Sequence, residues 1–191
     1  MEGDAGRSTS RSPTRRIVGP AVKASHQQHR DDAGRLGALR IAVITVSDTR
    51  NAETDRSGGY LRDEIRSAGH DLTDYRLVAD EPELIDRTIG ELLDSPAQII
   101  LLNGGTGISR RDGTFEVVSQ RIQKTLPGFG ELFRMLSFEQ IGAAAMLSRA
   151  TAGTCDGRVL ISLPGSPAAV RLGWERLLRP ELSHLVREAT R

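Results

Sequence analysis

One cysteine, Cys155, is all the thiol chemistry this chain has, so no intramolecular disulfide and no cysteine-based zinc site can form. Aromatic residues are scarce, at 4%, which removes the stacking surfaces that hold single-stranded bases. Neither charge is in surplus. The 26 Lys and Arg face 25 Asp and Glu for a net charge of +1, a balance that offers no electrostatic footprint for nucleic acid. No apolar run nears the roughly 20 residues that cross a bilayer. Together these absences lead us to expect a cytoplasmic protein of a reducing compartment, working on small molecules rather than on nucleic acid or membrane. Its 191 residues suffice for one domain with a substantial core.

The first part of the chain is poor in core-forming residues. Residues 1–37 contain no Phe, Tyr or Trp and reach their first Leu only at Leu36, in stretches such as GRSTSRSPTRR and KASHQQHRDDAGR. Too little apolar surface is available there to offset the entropy of ordering, so a disordered tail is expected, followed by one folded domain over residues 38–191. The Arg and Ser content suggests an organellar transit peptide, but Glu2 and Asp4 argue against it. The segment IVGPAV is too short, and broken by Pro20, for a secretory signal. His26 and His29 are read as solvated.

From Leu39 the pattern changes. LRIAVITVSD is an apolar, β-branched run, a buried strand that ends in polar residues. SGGYLRDEIRSAGH has Leu61, Ile65 and Ala68 at helical spacing and Gly69 as a stop. DLTDYRLVAD reads as a second strand, EPELIDRTIGELLDS as a helix with Pro82 in its first turn, and AQIILLNGG as a third strand. That alternation predicts an α/β fold, a three-layer α/β/α sandwich on a mostly parallel sheet with right-handed crossovers. A helix is expected from about Gly113. Another has Phe129, Leu132, Phe133 and Leu136 on one face, read as core or else as a subunit interface. MLSRATAGTCDGRVLISLPG reads as a hairpin turning at Asp156-Gly157, and one or two closing helices follow, interrupted at Pro180.

In an open α/β sheet, ligands sit beyond the carboxyl ends of the strands. Three predicted strand ends carry unusual residues: TVSD ending at Asp48, VADE containing Asp80, and NGGTGISRRD running to Asp112. Gly104, Gly105 and Gly107 let backbone N–H groups approach an anion, and Thr106 adds a hydroxyl, which suits phosphate. No Gly-Lys-Ser/Thr closes the loop, so it is not a Walker A motif. Three carboxylates beside bound phosphate repel it and one another, and a divalent cation would offset this. Mg²⁺ prefers one or two carboxylates together with phosphate oxygens. Each aspartate also has a purely structural use, as a turn or helix cap. The turn LPGSPAAV places Ser166 as an N-cap before Pro167, and such a helix start can also bind anions. Cys155, His70 and His184 are read as structural or solvated rather than catalytic.

Taken in order, TVSDTR, DRSGGYLRDEIRSAGH, LLNGGTGISRRDGTFE, GFGELFRMLSFEQIG, AMLSRATAG and SLPGSPAAV resemble the MoaB/MogA-type molybdopterin-binding proteins of molybdenum cofactor biosynthesis, over residues 39–191. The resemblance implies molybdopterin adenylyltransferase chemistry, with ATP and molybdopterin as substrates and Mg²⁺ as cofactor. It implies catalytic or Mg²⁺-positioning roles for Asp80 and Asp112. It implies ligand-binding roles for Ser47, Asp48, Gly104, Gly105, Thr106, Gly107, Glu116, Ser148, Pro164, Gly165 and Ser166. A homotrimer, or a hexamer of paired trimers, is implied as the assembly, and a downstream molybdate-inserting protein as a partner. Two other implications share the domain: a non-catalytic molybdopterin carrier, and a nucleotide pyrophosphatase of the competence-damage type. The chain departs from the pattern at one place, where Thr114-Phe115-Glu116 stands for Thr-Pro-Glu.

Overall fold

The computed structural model describes residues 36–191 of the chain. The expected tail, but for Leu36 and Gly37, lies outside the described residues, as do His26 and His29. Six strands form one sheet: β1 (Arg40–Val46), β2 (Asp71–Val78), β3 (Ile99–Asn103), β4 (Lys124–Thr125), β5 (Thr151–Cys155) and β6 (Arg158–Leu163). The helices are α1 (Arg56–Ser67), α2 (Pro82–Leu93), α3 (Thr114–Arg121), α4 (Pro127–Ile141), α5 (Pro167–Gly173) and α6 (Leu182–Ala189). A 3₁₀ segment, Gly142–Leu147, follows α4, and a π-helical segment, Trp174–Leu178, follows α5.

Strand order in the sheet is β2-β1-β3-β6-β5-β4. β1 pairs in parallel with β2 and β3, and β3 in parallel with β6. β5 runs antiparallel to both β6 and β4. The expected mostly parallel sheet is present, with an antiparallel edge. The two-residue β4 is too short to leave a period-2 signature, so the sequence pattern does not reveal it.

Alternation along the central strands builds the three layers. Ile41, Val43, Ile99, Leu101 and Ile161 point to one face and pack with α1, α4, α5 and α6 through Leu61, Ile65, Phe133, Val170 and Val186. Ala42, Ile44, Ile100, Leu102 and Leu160 point to the other and pack with α2 and α3 through Ile85, Ile89, Leu92 and Val118. Successive side chains of a strand take opposite faces, so strands covered on both sides must be apolar throughout. The predicted hairpin is present, with Asp156 and Gly157 both at positive φ, as its tight turn demands.

The apolar stripe of α4 divides. Phe133 and Leu136 are buried, and Phe129 stacks on Phe133 with ring centroids 6.4 Å apart. Leu132 is 47% exposed and continues into Met135, Phe138, Ile141, Met146 and Leu147, all exposed. Only one flank of the helix meets the sheet, and the 100° step per residue carries the others outward. Of the two expected uses, core holds for Phe133 and Leu136 and not for the exposed Leu132.

The carboxyl-terminal segment is anchored by Trp174. Its ring is fully buried and its Nε1–H donates to Glu64 Oε2 at 3.1 Å, across to α1. The Arg179 amide reaches back to the Trp174 carbonyl at 2.9 Å, a π-type bond that turns the chain before α6. Trp174→Ala is expected to lower unfolding free energy by about 4 kcal/mol through cavity formation. Trp174→Phe, which keeps a ring but loses the N–H, is expected to cost less; urea denaturation of both variants tests this.

Candidate functional site

Register decides where the strand tips lie. Val46 of β1 is level with Val78 of β2, Thr45 with Asn103 of β3, and Asn103 with Leu163 of β6. Four parallel strands therefore end on one line. Ser47–Asp48, Ala79–Asp80, Gly104–Gly107 and Pro164–Ser166 all emerge along that edge. β1 lies between β2 and β3, the topological switch point at which such sheets open a crevice.

The glycine loop is pressed into this crevice. A Cβ on Gly104, which has φ 103°, would fall 2.1 Å from the Val46 carbonyl oxygen. A Cβ on Gly105 would fall 2.0 Å from Thr114 Oγ1 and 2.8 Å from Asp80 Oδ2. Only glycine fits such approaches. The segment from Gly104 to Gly113 lines two cavities, its glycines the smaller and its later residues the larger. The smaller, about 350 Å³, is lined by Gly104–Gly107, Ser148, Pro164, Gly165 and Ser166, with Phe133, Ile141 and Leu147 as its apolar wall. The larger, about 520 Å³, is lined by Ile108, Ser109, Arg110, Asp112, Gly113, Glu116 and Arg149. Inside the smaller cavity's wall, Ser148 Oγ is buried without a hydrogen-bond partner, a donor free for a ligand.

Each of the three aspartates accepts from a backbone amide of this edge. Asp48 Oδ1 accepts from the Asp80 amide at 2.9 Å, and Asp80 Oδ1 from the Gly113 amide at 3.2 Å. Asp112 Oδ2 accepts from the Ser109 amide at 2.9 Å, which closes the turn before α3. Asp48 also pairs with Arg111. Burial raises the pKa of Asp80; the Gly113 amide opposes this, and the charges of Asp112 and Glu116 add to it. Glu116 has the opposite shift. Burial works against its charge, but the hydrogen bond and charge of Arg149 hold it below the usual range. Ser47 Oγ accepts from the Thr49 and Arg50 amides, at 3.3 and 3.2 Å, and so shapes the loop after β1. Ser166 Oγ accepts from the Ala169 amide at 3.2 Å as the cap of α5, a helix of 7 residues. Among the described residues, no group of three or more His, Cys, Asp or Glu is placed to hold a metal ion. Also among them, no helix is long and apolar enough to cross a membrane.

Several site residues escaped the sequence reading. Asp55 caps α1 through the Gly58 amide at 3.0 Å and accepts from Tyr75 Oη at 2.6 Å. Its carboxylate is fully buried beside Arg50. Burial alone would raise its pKa, yet bonds from Thr45, Tyr75 and the Gly58 amide, with the Arg50 charge, lower it. Arg50 and Ser57 both donate to the Gly165 carbonyl, at 2.9 and 2.7 Å, and fix the Pro164–Ser166 turn. Arg149, next to Ser148, ties the glycine loop to α3. An Asp ahead of a helical pattern is a readable cap signal at Asp55; nothing local marks Arg50 or Arg149.

Asp80 supplies a pH test. Its folded-state pKa is raised, so holding it ionised costs stability at neutral pH, and this cost fades as pH falls through that pKa. Asp80→Asn keeps an oxygen for the Gly113 amide and removes the charge. The variant is expected to melt at a higher temperature than the parent at pH 7. Calorimetry from pH 7 to pH 3 should show the gap closing.

Known proteins share this fold. The family described as "Probable molybdopterin binding domain" matches residues 42–184. Molybdenum cofactor biosynthesis protein B of Halalkalibacterium halodurans is 47% identical over 167 residues, 86% of this chain and 96% of that protein. A crystal structure of a molybdenum cofactor biosynthesis protein B superposes with a TM-score of 0.77 at 45% identity, covering 80% of this chain and 96% of the other. The tungsten cofactor synthesizing protein MoaB from Pyrococcus furiosus superposes with a TM-score of 0.74 at 36% identity, covering 81% of this chain and 98% of the other. The fold, the glycine loop at the switch point and these likenesses together place the chain in the MoaB/MogA-type molybdopterin-binding family of molybdenum cofactor biosynthesis proteins.

Proposed function

We propose that this protein adenylylates molybdopterin with ATP. A terminal phosphate oxygen of molybdopterin attacks the α-phosphorus of ATP and forms the new P–O bond. The bond from the α-phosphorus to the bridging oxygen of the β-phosphate breaks, and pyrophosphate leaves with the electron pair. The observation that carries this reading is one segment, Gly104–Gly113, that lines two cavities, with Asp80 against Gly105 and Asp112 near its end. Two anionic ligands, one in each cavity, would meet at this segment.

Both reacting groups are anions, so their repulsion must be lowered before they approach. Backbone N–H groups of Gly105–Gly107 and the free Ser148 hydroxyl can meet the phosphate charge without reorganising, while the Gly104 amide is already bonded to the Leu163 carbonyl at 3.1 Å. Holding the two ligands in line supplies much of the remaining rate. Mg²⁺ fits the donor set: Asp80 and Asp112 would hold it, and it would supply charge screening. Burial above all raises the pKa of Asp80, and the charge of Asp112 adds to it, so the two carboxylates lie near enough to feel one another. No nucleophilic side chain is required. Cys155 is buried and its thiol pKa is pushed up by burial, which keeps it unreactive.

We further propose that the chain works in the cytoplasm and assembles as a homotrimer, or as paired trimers, through the exposed stripe of Leu132, Met135, Phe138 and Ile141 with Met146 and Leu147. Phe138 is 62% and Met146 73% exposed, and large apolar side chains so exposed within one short segment suit a surface that another chain covers. The product would pass to a molybdate-inserting partner.

Asp80→Asn and Asp112→Asn are each expected to lower the rate of adenylyl-molybdopterin formation by about 10² or more while binding of molybdopterin persists. Isothermal titration with ATP and Mg²⁺ separates the enzyme from a carrier, since a carrier would bind molybdopterin and ignore the nucleotide. Light scattering is expected to give about three chain masses for the parent, and a smaller particle for Phe138→Glu.

A further inference from the structure

We propose that Arg149 is the positioning residue of the glycine loop and that the ring of Phe115 holds Arg149 in place. The proposal rests on the reading that this loop receives phosphate.

The guanidinium of Arg149 reaches both ends of the segment between β3 and α3. Its Nε–H donates to the Thr106 carbonyl at 3.0 Å and one terminal nitrogen donates to the Gly107 carbonyl. The same nitrogen reaches the Asp112 carbonyl at 3.5 Å, and the other pairs with Glu116 on α3. A guanidinium presents five donors in a rigid planar fork, which suits it to hold several acceptors at fixed angles. The loop is also held by the Gly104 amide on the Leu163 carbonyl and the Thr114 amide on the Gly105 carbonyl, both at 3.1 Å, by the Asp112 amide on the Ser109 carbonyl at 3.0 Å and by the Ser109 amide on Asp112 Oδ2 at 2.9 Å, but none of these bonds holds the Thr106 or Gly107 carbonyl.

The direction of the pull matters. In a trans peptide the C=O and N–H point oppositely, and no peptide bond described is cis. With the Thr106 and Gly107 carbonyls drawn to Arg149, the N–H groups of Gly107 and Ile108 turn away from it together. Two successive amides aimed alike form an anion-binding concavity. A loop of glycines would otherwise sample many orientations.

Phe115 supplies the other half. Its ring centroid lies 4.8 Å from the guanidinium carbon, a cation–π contact that fixes the plane of the fork. Phe115 is also where the chain departs from the Thr-Pro-Glu pattern. A flat face at this position gives the guanidinium a surface that a small aliphatic residue does not offer.

The test uses the full chain without ligand. Amide hydrogen exchange by mass spectrometry is measured for Arg149→Lys, Phe115→Ala, Phe115→Leu and Phe115→Trp. Arg149→Lys keeps the charge but loses the fork. Exchange across Gly104–Thr106, where the Gly104 amide bonds the Leu163 carbonyl and Thr106 is buried, is expected to quicken at least about tenfold in Arg149→Lys, and less in Phe115→Ala and Phe115→Leu, while β1 and β3 amides stay protected. Phe115→Trp, with a stronger π face, is expected to restore parental exchange. In turnover assays the KM for ATP should rise about tenfold with kcat little changed, the mark of lost uniform binding. Unchanged loop exchange in Arg149→Lys, or equal loosening of loop and core, overturns the proposal. Should Arg149→Lys fail to fold, the Phe115 series decides, because equal exchange in Ala, Leu and Trp variants also overturns it. If no adenylyl transfer occurs but loop exchange follows the pattern, the clamp stands and the catalytic reading falls.

Discussion

The hydrogen-bonded register of the four parallel strands is the constraint on which the remainder of the molecule depends. Because Val46, Val78, Asn103 and Leu163 end on a common line, residues separated by more than a hundred positions share one edge. That register is itself held by burial. Shifting any strand by one residue would exchange its two apolar faces and separate α1 and α2 from their partners. The site thus inherits its geometry from two hydrophobic clusters that contain none of its polar groups.

Electrostatics then divides carboxylates of one chemical type into two uses. Asp55 is fully enclosed yet kept ionised, because a hydroxyl pair, an amide and a guanidinium face it. It works as a structural anchor that reaches Gly165 through Arg50. Asp80, less well supplied with donors and set beside Asp112 and Glu116, carries its charge at a cost. Groups held in such unfavourable states gather where ligands bind, since the ligand or its counter-ion provides the missing compensation. The contrast separates anchor from site without any appeal to sequence motifs.

The loop and the apolar stripe meet at the smaller cavity. Ile141 and Leu147 belong both to its wall and to the exposed surface of α4 and the following 3₁₀ segment. Packing of another molecule there would bear directly on the cavity's dryness. Opposite, Arg149 joins the larger cavity to the glycine loop, so each cavity is coupled to the loop by a different kind of contact, apolar on one side and ionic on the other.

Much of this was written in the chain. The apolar runs of β1 and β3, the Asp156-Gly157 turn, Pro82 and Pro167 at helix starts, and the glycines after β3 follow from local chemistry: β-branched packing, restricted φ, and freedom from a Cβ. The aspartates and the LPGSP turn were readable too, because polar residues that interrupt an apolar pattern stand at strand ends. Tertiary structure alone decided that Asp48 accepts the Asp80 amide, that Arg50 and Ser57 share the Gly165 carbonyl, that Arg149 grips the loop over Phe115, and that the α4 stripe divides between core and surface. Those facts rest on contacts between residues far apart in sequence, whose partners are selected by sheet register and packing, and local periodicity carries no record of either.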